Sequence, residues 1–353
     1  MNFASDNTGP AHPAIMEALA AANADYVMPY GADPLMEEVT ARIRDLFEAP
    51  QAAVYLVTTG TAANSISLAS LAQPYQTIFC SDVAHIHEDE CGAPEFFTGG
   101  SKLTLIANDD GKITADGLRA AILGEETRGV HGYQRGPVSI TQATEKGTIY
   151  NLDEINALTE IAREFGLPVQ MDGARFANAL VTLGCTPAEM TWRAGIDAVS
   201  FGGTKNGLIG AEAVILFNPE KAWEFELRRK RAGHLMSKHR YLSAQMAAYL
   251  KDDLWLQMAG SANTACARLT RGLKQHPDVT LAYEPRANMI FAAWPRALHR
   301  QMHGAGAYYY IFEGGGLDGP DDASLTARLI CDWSTSEAKV DGFLGLMTAT
   351  AAE

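Results

Sequence analysis

The chain has 353 residues, enough for one large domain with a substantial core and a smaller domain beside it. At 47% hydrophobic and 20% charged it reads as a soluble globular protein, and a net charge of −14 argues against nucleic acid and anionic membranes as partners unless a local basic stripe intervenes. Five cysteines, at 80, 91, 185, 266 and 331, form no Cys-x-x-Cys pair, which favours reduced thiols in a cytoplasm and argues against zinc.

The N-terminus lacks a basic segment followed by an apolar core, and no apolar run approaches the roughly 18 residues of a membrane span. The mature chain is therefore expected to start near Met1. A helix is predicted over 34–47, a strand over 54–58 and a helix over 61–71. Strands follow over 77–80, 102–106 and 138–142, then a helix over 152–165 with Asn151 as its N-cap. Three more strands are expected at 168–171, 198–201 and 213–217. Seven short apolar runs alternating with helix-length segments predict an α/β fold with a mostly parallel sheet. Beyond Pro219 a helical stretch over 220–273 is expected, with Arg228-Arg229-Lys230-Arg231 on one helix face, then strands at 288–292 and 307–312. Ser334-x-x-Glu337 has the spacing of a capping box. The expected organisation is an N-terminal arm (1–33), a large domain (34–250) and a smaller α+β domain (251–353).

Three motifs carry chemistry. Thr59-Gly60-Thr61 sits at a strand-to-helix turn, where free backbone N–H groups and the helix dipole hold a phosphate dianion or simply cap the helix. Asp172 ends an apolar strand, a costly place for an acid without a charged partner, and the ring nitrogen of pyridoxal phosphate is a fitting one. Lys205, in Gly202-Gly203-Thr204-Lys205-Asn206-Gly207, follows a strand and is placed to form a Schiff base with that cofactor; alone, a loop lysine is a solvated charge. Arg175 could reach the ring hydroxyl, a substrate carboxylate, or Asp172 in a salt bridge. His85 could stack on the cofactor and exchange protons; the dense run His85-Ile86-His87-Glu88-Asp89-Glu90 also allows a metal, but no third separated ligand accompanies it. Arg328, a lone cation entering an apolar run, suits bidentate capture of a carboxylate, or it snorkels from an edge strand.

With these residues in hand the chain resembles the low-specificity L-threonine aldolases, and within them the phenylserine aldolase branch. The resemblance runs through Ser5-Asp6-Asn7, Pro29-Tyr30-Gly31, Thr59 to Asn64, His85 with Asp89 to Glu95, Ser139 to Thr144, Asp172 to Phe176, Thr204 to Gly207 and Ser237 to Arg240. It implies a type I pyridoxal-phosphate fold: a large seven-stranded domain, a small C-terminal domain, and sites shared across a homodimer, often within a tetramer. By resemblance Lys205 is the Schiff-base lysine, His85 the stacking residue and Asp172 the ring-nitrogen partner. Ser5, Arg175 and Arg328 form the carboxylate clamp, His131 lies near the substrate side chain, and Tyr30 comes from the neighbouring subunit. Thr204 stands where better-known members have serine. Where they offer an arginine to the neighbour's phosphate, either Lys238 or Arg240 could serve. The implied reaction is cleavage of L-threonine, L-allo-threonine or phenylserine to glycine and an aldehyde, with β-elimination, transamination or a non-catalytic binding role as alternatives.

Overall fold

Strands buried on both faces read as continuous apolar runs, and those of the large sheet do so. The structure is a computed structural model that describes residues 1–348. Its first sheet contains β1 (Ala53–Val57), β2 (Gln76–Ser81), β3 (Lys102–Ile106), β4 (Gln134–Thr141), β5 (Val169–Gly173), β6 (Ala198–Gly202) and β7 (Glu212–Leu216). Every residue of β1, β5, β6 and β7 is buried. The order is β1-β7-β6-β5-β4-β2-β3. Strand β7 runs antiparallel to β1 and β6, and the remaining pairs are parallel. The seven-stranded, mostly parallel α/β sheet is thus as expected.

This topology gathers the C-terminal ends of β1, β2, β4, β5 and β6 along one edge, together with the start of β7. Ligands of open α/β sheets bind outside that edge. Helix Gly60–Leu71 starts there, directly after β1, with the Thr59 hydroxyl accepting from Ala62 N at 3.1 Å. Nine of its residues are buried, so it lies inside the domain and its N-terminus is held rigidly at the edge.

The second core surrounds an antiparallel sheet of β8 (Thr280–Leu281), β9 (Met289–Pro295), β10 (Tyr310–Glu313) and β11 (Ser324–Ile330), in the order β10-β11-β9-β8. Helix Leu254–Leu273 joins the two cores: Trp255, Met258 and Ala259 pack into the first, and Cys266, Leu269 and Leu273 into the second. The packing therefore changes over inside this helix. The N-terminal arm is also part of the second core, where Phe3 is buried; Phe3 N donates to Tyr308 O and Phe3 O accepts from Ile330 N.

Four local expectations are corrected. The stretch 220–273 is broken into helices Ala222–Arg231, Arg240–Leu250 and Leu254–Leu273, because Gly233 (φ 78°) ends the first and Asp252 and Asp253 (φ 51° and 56°) kink the chain before the third. The run 228–231 does not share one face, since successive helical residues point about 100° apart. Arg228 pairs with Glu224, whereas Arg229 is buried over the Tyr55 ring. The last helix, Glu337–Thr348, is capped by Ser336, whose hydroxyl accepts from Lys339 N; Ser334 instead donates to Asp332. Finally, β11 lies between β10 and β9, so Arg328 is on an interior strand.

Candidate active site

A cavity of about 310 Å³ opens at the edge where the parallel strands end. Its walls bring together Thr59, Gly60 and Thr61 after β1, His85 after β2, Asp172 and Arg175 from β5 and beyond, and Thr204 and Lys205 after β6. At Gly60 a Cβ would meet nothing within 4 Å, so the helix N-terminus faces open space. The first turn of that helix has unbonded N–H groups, and an anion there is favoured by both hydrogen bonding and the dipole.

Asp172 lies inside β5, one position past the expected strand end, and is 4% exposed. Its Oδ2 accepts from Asn64 Nδ2 at 2.7 Å and its Oδ1 from Ala174 N at 2.9 Å. The salt bridge from Arg175 to Asp172 that sequence allowed does not form. Arg175 instead grips Asp6, with Nε to Oδ2 at 2.8 Å and Nη2 to Oδ1 at 3.1 Å. Arg175 and Asn288 bonds help hold the buried Asp6 below the usual carboxylate range, against the upward push of burial. Asp172 therefore keeps its place for a ring cation, and Arg175 is locked at the cavity wall.

Burial and the nearby Arg175 charge lower the pKa of Lys205, which favours the neutral, nucleophilic amine. Among the described residues no hydrogen bond holds that amine. His85 opens the short helix His85–Glu88, and its Nδ1 lies 2.9 Å from Glu90 Oε1, an interaction that raises its pKa. Glu90 is also bonded by Asn64 Nδ2 at 3.0 Å, so one amide ties Glu90 to Asp172. His85, Glu90 and Asp172 offer ligand atoms within 4.8 Å of one another, so the fold supplies the third, distant group that sequence did not anticipate for a metal. The Asn64 amide protons, however, already point at both acids, where a cation would have to sit.

Of the expected carboxylate clamp, Arg175 lines the cavity while Ser5 and Arg328 are not among its lining residues; the Arg328 charge acts on Arg175 and Asp6. The Arg328 guanidinium lies 5.4 Å from the centre of the Tyr310 ring, its buried Nε has no partner, and burial and repulsion from Arg175 both lower its pKa. Two unpaired-to-each-other arginines that repel are stabilised together by an anion. Ser5 caps the turn Asp6–Thr8 through Asn7 N and so positions Asp6. An open phosphate turn, a fixed acid, a depressed lysine and an orphaned guanidinium fit pyridoxal phosphate with an amino acid carboxylate.

The beta-eliminating lyase family matches residues 2–294. A low specificity L-threonine aldolase from Pseudomonas sp. (strain NCIMB 10558) is 41% identical over 338 residues, 96% of this chain and 94% of that one. The chain belongs to the beta-eliminating lyases, in the low-specificity L-threonine aldolase group. A second relative of that description, from Pseudomonas aeruginosa, is 41% identical over 339 residues, again 96% of this chain and 94% of that one. A Leishmania major threonine aldolase superposes with a TM-score of 0.92 at 26% identity, covering 99% of both chains. The type I pyridoxal-phosphate fold is thereby shown.

Not every expected residue of such a lyase reaches the cavity of its own chain. His131 ends a short turn before β4 begins, at the opposite edge of the sheet from the cavity. Tyr30 is 46% exposed and packs under Lys230. Lys238 and Arg240 border a separate groove with residues 25–29, and Arg240 donates to the carbonyls of Ala24 and Asp25. Conversely, Asp6, Asn64, Glu90, Glu145 and Glu212 were given no role from sequence. Asp6, Asn64 and Glu145 meet partners 169, 108 and 60 positions away, though Glu90 and Glu212 also bond near neighbours; only their presence in the quoted motifs, for Asp6, Asn64 and Glu90, marked them.

Proposed function

We propose that this lyase binds pyridoxal phosphate and cleaves L-threonine, L-allo-threonine and related L-β-hydroxy-α-amino acids, phenylserine included, to glycine and an aldehyde. The observation that carries this reading is the meeting of Lys205, Asp172, His85 and Arg175 around one cavity. Names of relatives that are threonine aldolases support it.

The chain's residues divide the work. The turn Thr59-Gly60-Thr61 and Thr204 would hold the phosphate, Asp172 the ring nitrogen, His85 the ring face and Lys205 the aldehyde carbon. Bound there, the cofactor supplies an electron sink for the pair left on the α carbon when a bond to it breaks. Arg328 and Arg175, with Ser5, would fix the substrate carboxylate and so orient the Cα–Cβ bond for cleavage. Asp6 keeps Arg175 from turning onto Asp172. Tyr30 and either Lys238 or Arg240 would reach a site from a second copy, so the working form is a homodimer or a larger homo-oligomer. A cytoplasmic setting accords with five free cysteines, and no helix among the described residues is long and apolar enough to cross a membrane.

The test is product analysis on the purified holoenzyme. Fixing the substrate at its α-amino end beside Lys205 and at its carboxylate would select one hand at the α carbon, while the β carbon would be gripped weakly, by about 1 to 2 kcal/mol of discrimination. L-threonine, L-allo-threonine and L-phenylserine should all yield glycine and an aldehyde, and D-threonine should not. Keto acid and ammonia as the main products would replace this reading with β-elimination; a stable amine form of the cofactor would replace it with transamination.

A further inference from the structure

The cavity holds an acid that neither the motifs nor the cofactor roles use. Glu145 follows β4 and lines the cavity beside His85. Its Oε1 accepts from His85 N at 2.9 Å and from Thr141 Oγ1 at 2.7 Å, so the carboxyl group is anchored at the N-terminus of helix His85–Glu88. Its Oε2 is shielded from solvent and bonds to nothing among the described residues. A buried carboxyl oxygen without a partner is costly and is satisfied by a ligand hydroxyl.

The other candidates for a base are committed elsewhere. His85 is bonded to Glu90 through Nδ1, which favours the protonated ring. Asp172 and Glu90 share the Asn64 amide. Glu212 accepts from Gly203 N at 2.8 Å, in the turn that carries Lys205. His131 lies at the far edge of the sheet.

Resting on the reading above, we propose that Glu145 Oε2 takes the β-hydroxyl proton of the substrate. The O–H pair becomes the second bond of the aldehyde carbonyl as the Cα–Cβ bond breaks, and the Cα–Cβ pair remains on the glycine α carbon, held by the cofactor sink. A proton then returns to that carbon, so substrate is converted to glycine and aldehyde with no further reactant. The groups facing Glu145 are the like-charged Asp172, the thiol of Cys80, the phenol of Tyr150 and the His85 segment. Among the described residues no cation pairs with it, and burial pushes its carboxyl up to about 7, close to where a general base works best.

Glycine α-proton exchange with solvent needs the carboxylate clamp and the sink but no β-hydroxyl base, so it separates this role from a structural one. In Glu145→Gln holoenzyme, L-threonine cleavage should fall by about 10² to 10⁴-fold, while glycine α-proton exchange followed by NMR in D2O stays within about threefold, the variance expected of a side chain outside that step. Loss of both together, or retention of both, overturns the assignment. Should the variant fail to bind cofactor, the parent decides: its cleavage rate should show an acid limb near 7 that its exchange rate lacks, and a limb shared by both, or absent from both, overturns the proposal. A parent that exchanges glycine but releases no aldehyde defeats the aldolase reading instead.

Discussion

At the scale of single residues the acids of the cavity are held by specific bonds, whereas among the described residues no hydrogen bond holds the Lys205 amine. Arg328 too is loosely held, a guanidinium with an unsatisfied Nε on an interior strand. Arg328→Leu should leave the cofactor bound and raise the apparent KM for L-threonine by about tenfold to a hundredfold, equivalent to roughly 2 kcal/mol when one partner of a charged pair is removed. Steady-state kinetics checks this, and an unchanged KM removes Arg328 from the site. Glu212 makes a second case. Burial raises its carboxyl from 4.5 to about 7, so between those values the folded chain holds a proton that the unfolded chain releases. Stability attributable to this group is therefore intact below about pH 4.5, declines as pH rises, and reaches its full deficit above about pH 7. Glu212→Gln keeps an acceptor for Gly203 N and has no proton to lose. Its stability relative to the parent should rise by a few kcal/mol at most between pH 5 and pH 8, read from urea midpoints of the apoprotein; an equal difference at both pH values contradicts the shift.

At the scale of elements, the site depends on how closely β5 and β6 converge at their C-terminal ends. A Cβ at Gly202 would lie 2.6 Å from Ala174 O and 2.8 Å from Ala174 Cα, and one at Gly173 would lie 2.6 Å from Ser200 O. These contacts are to backbone, which cannot swing aside. Glycine at both positions lets Asp172 and Lys205 face the same small space from neighbouring strands. Gly202→Ala should cost about 1–3 kcal/mol by overpacking, measured by chemical denaturation, and should weaken pyridoxal phosphate binding in an equilibrium titration. A stable variant with parental cofactor affinity shows that the strand ends tolerate separation. The same logic makes the helix Gly60–Leu71 a fixed element: with its middle buried, its N-terminus has no freedom to follow a ligand, so the cradle is preformed.

At the scale of the whole molecule, the pattern of exposure points to assembly. Tyr26, Val27, Met28 and Tyr30 form an exposed apolar run next to Lys238 and Arg240, and none of them lines the cavity of their own chain. Such a patch marks a contact surface, and two-fold pairing would place it against a second copy. Lys205→Ala chains should be inactive alone, and chains carrying both Lys238→Ala and Arg240→Ala should be strongly impaired. Co-expressed, they should regain about a quarter of parental activity, because half of randomly paired dimers carry one intact site of two. No recovery in isolated mixed dimers would mean that each chain completes its own site.

The sequence by itself determined the strand-and-helix alternation, the placement of Thr59-Gly60-Thr61, Asp172 and Lys205 where strands end, and the family these motifs belong to. Those signals are local: periodicity, a glycine turn, an acid closing an apolar run. The same local reading passed over Gly233, a visible glycine stop, and extended the helix through the kink at Asp252 and Asp253, where only backbone geometry reveals a left-handed residue that is not glycine. What the tertiary structure alone decided is which charges meet. Asp6 and Arg175 are 169 positions apart, Asn64 and Asp172 108, and Glu145 and the backbone of His85 60. His131 and Lys205, both assigned to one site by motif, are set at opposite edges of the sheet, since the chain enters β4 at one edge and leaves β6 at the other. Pairings of this kind leave no periodic trace, because each is fixed by the crossing of parallel strands and not by spacing along the chain.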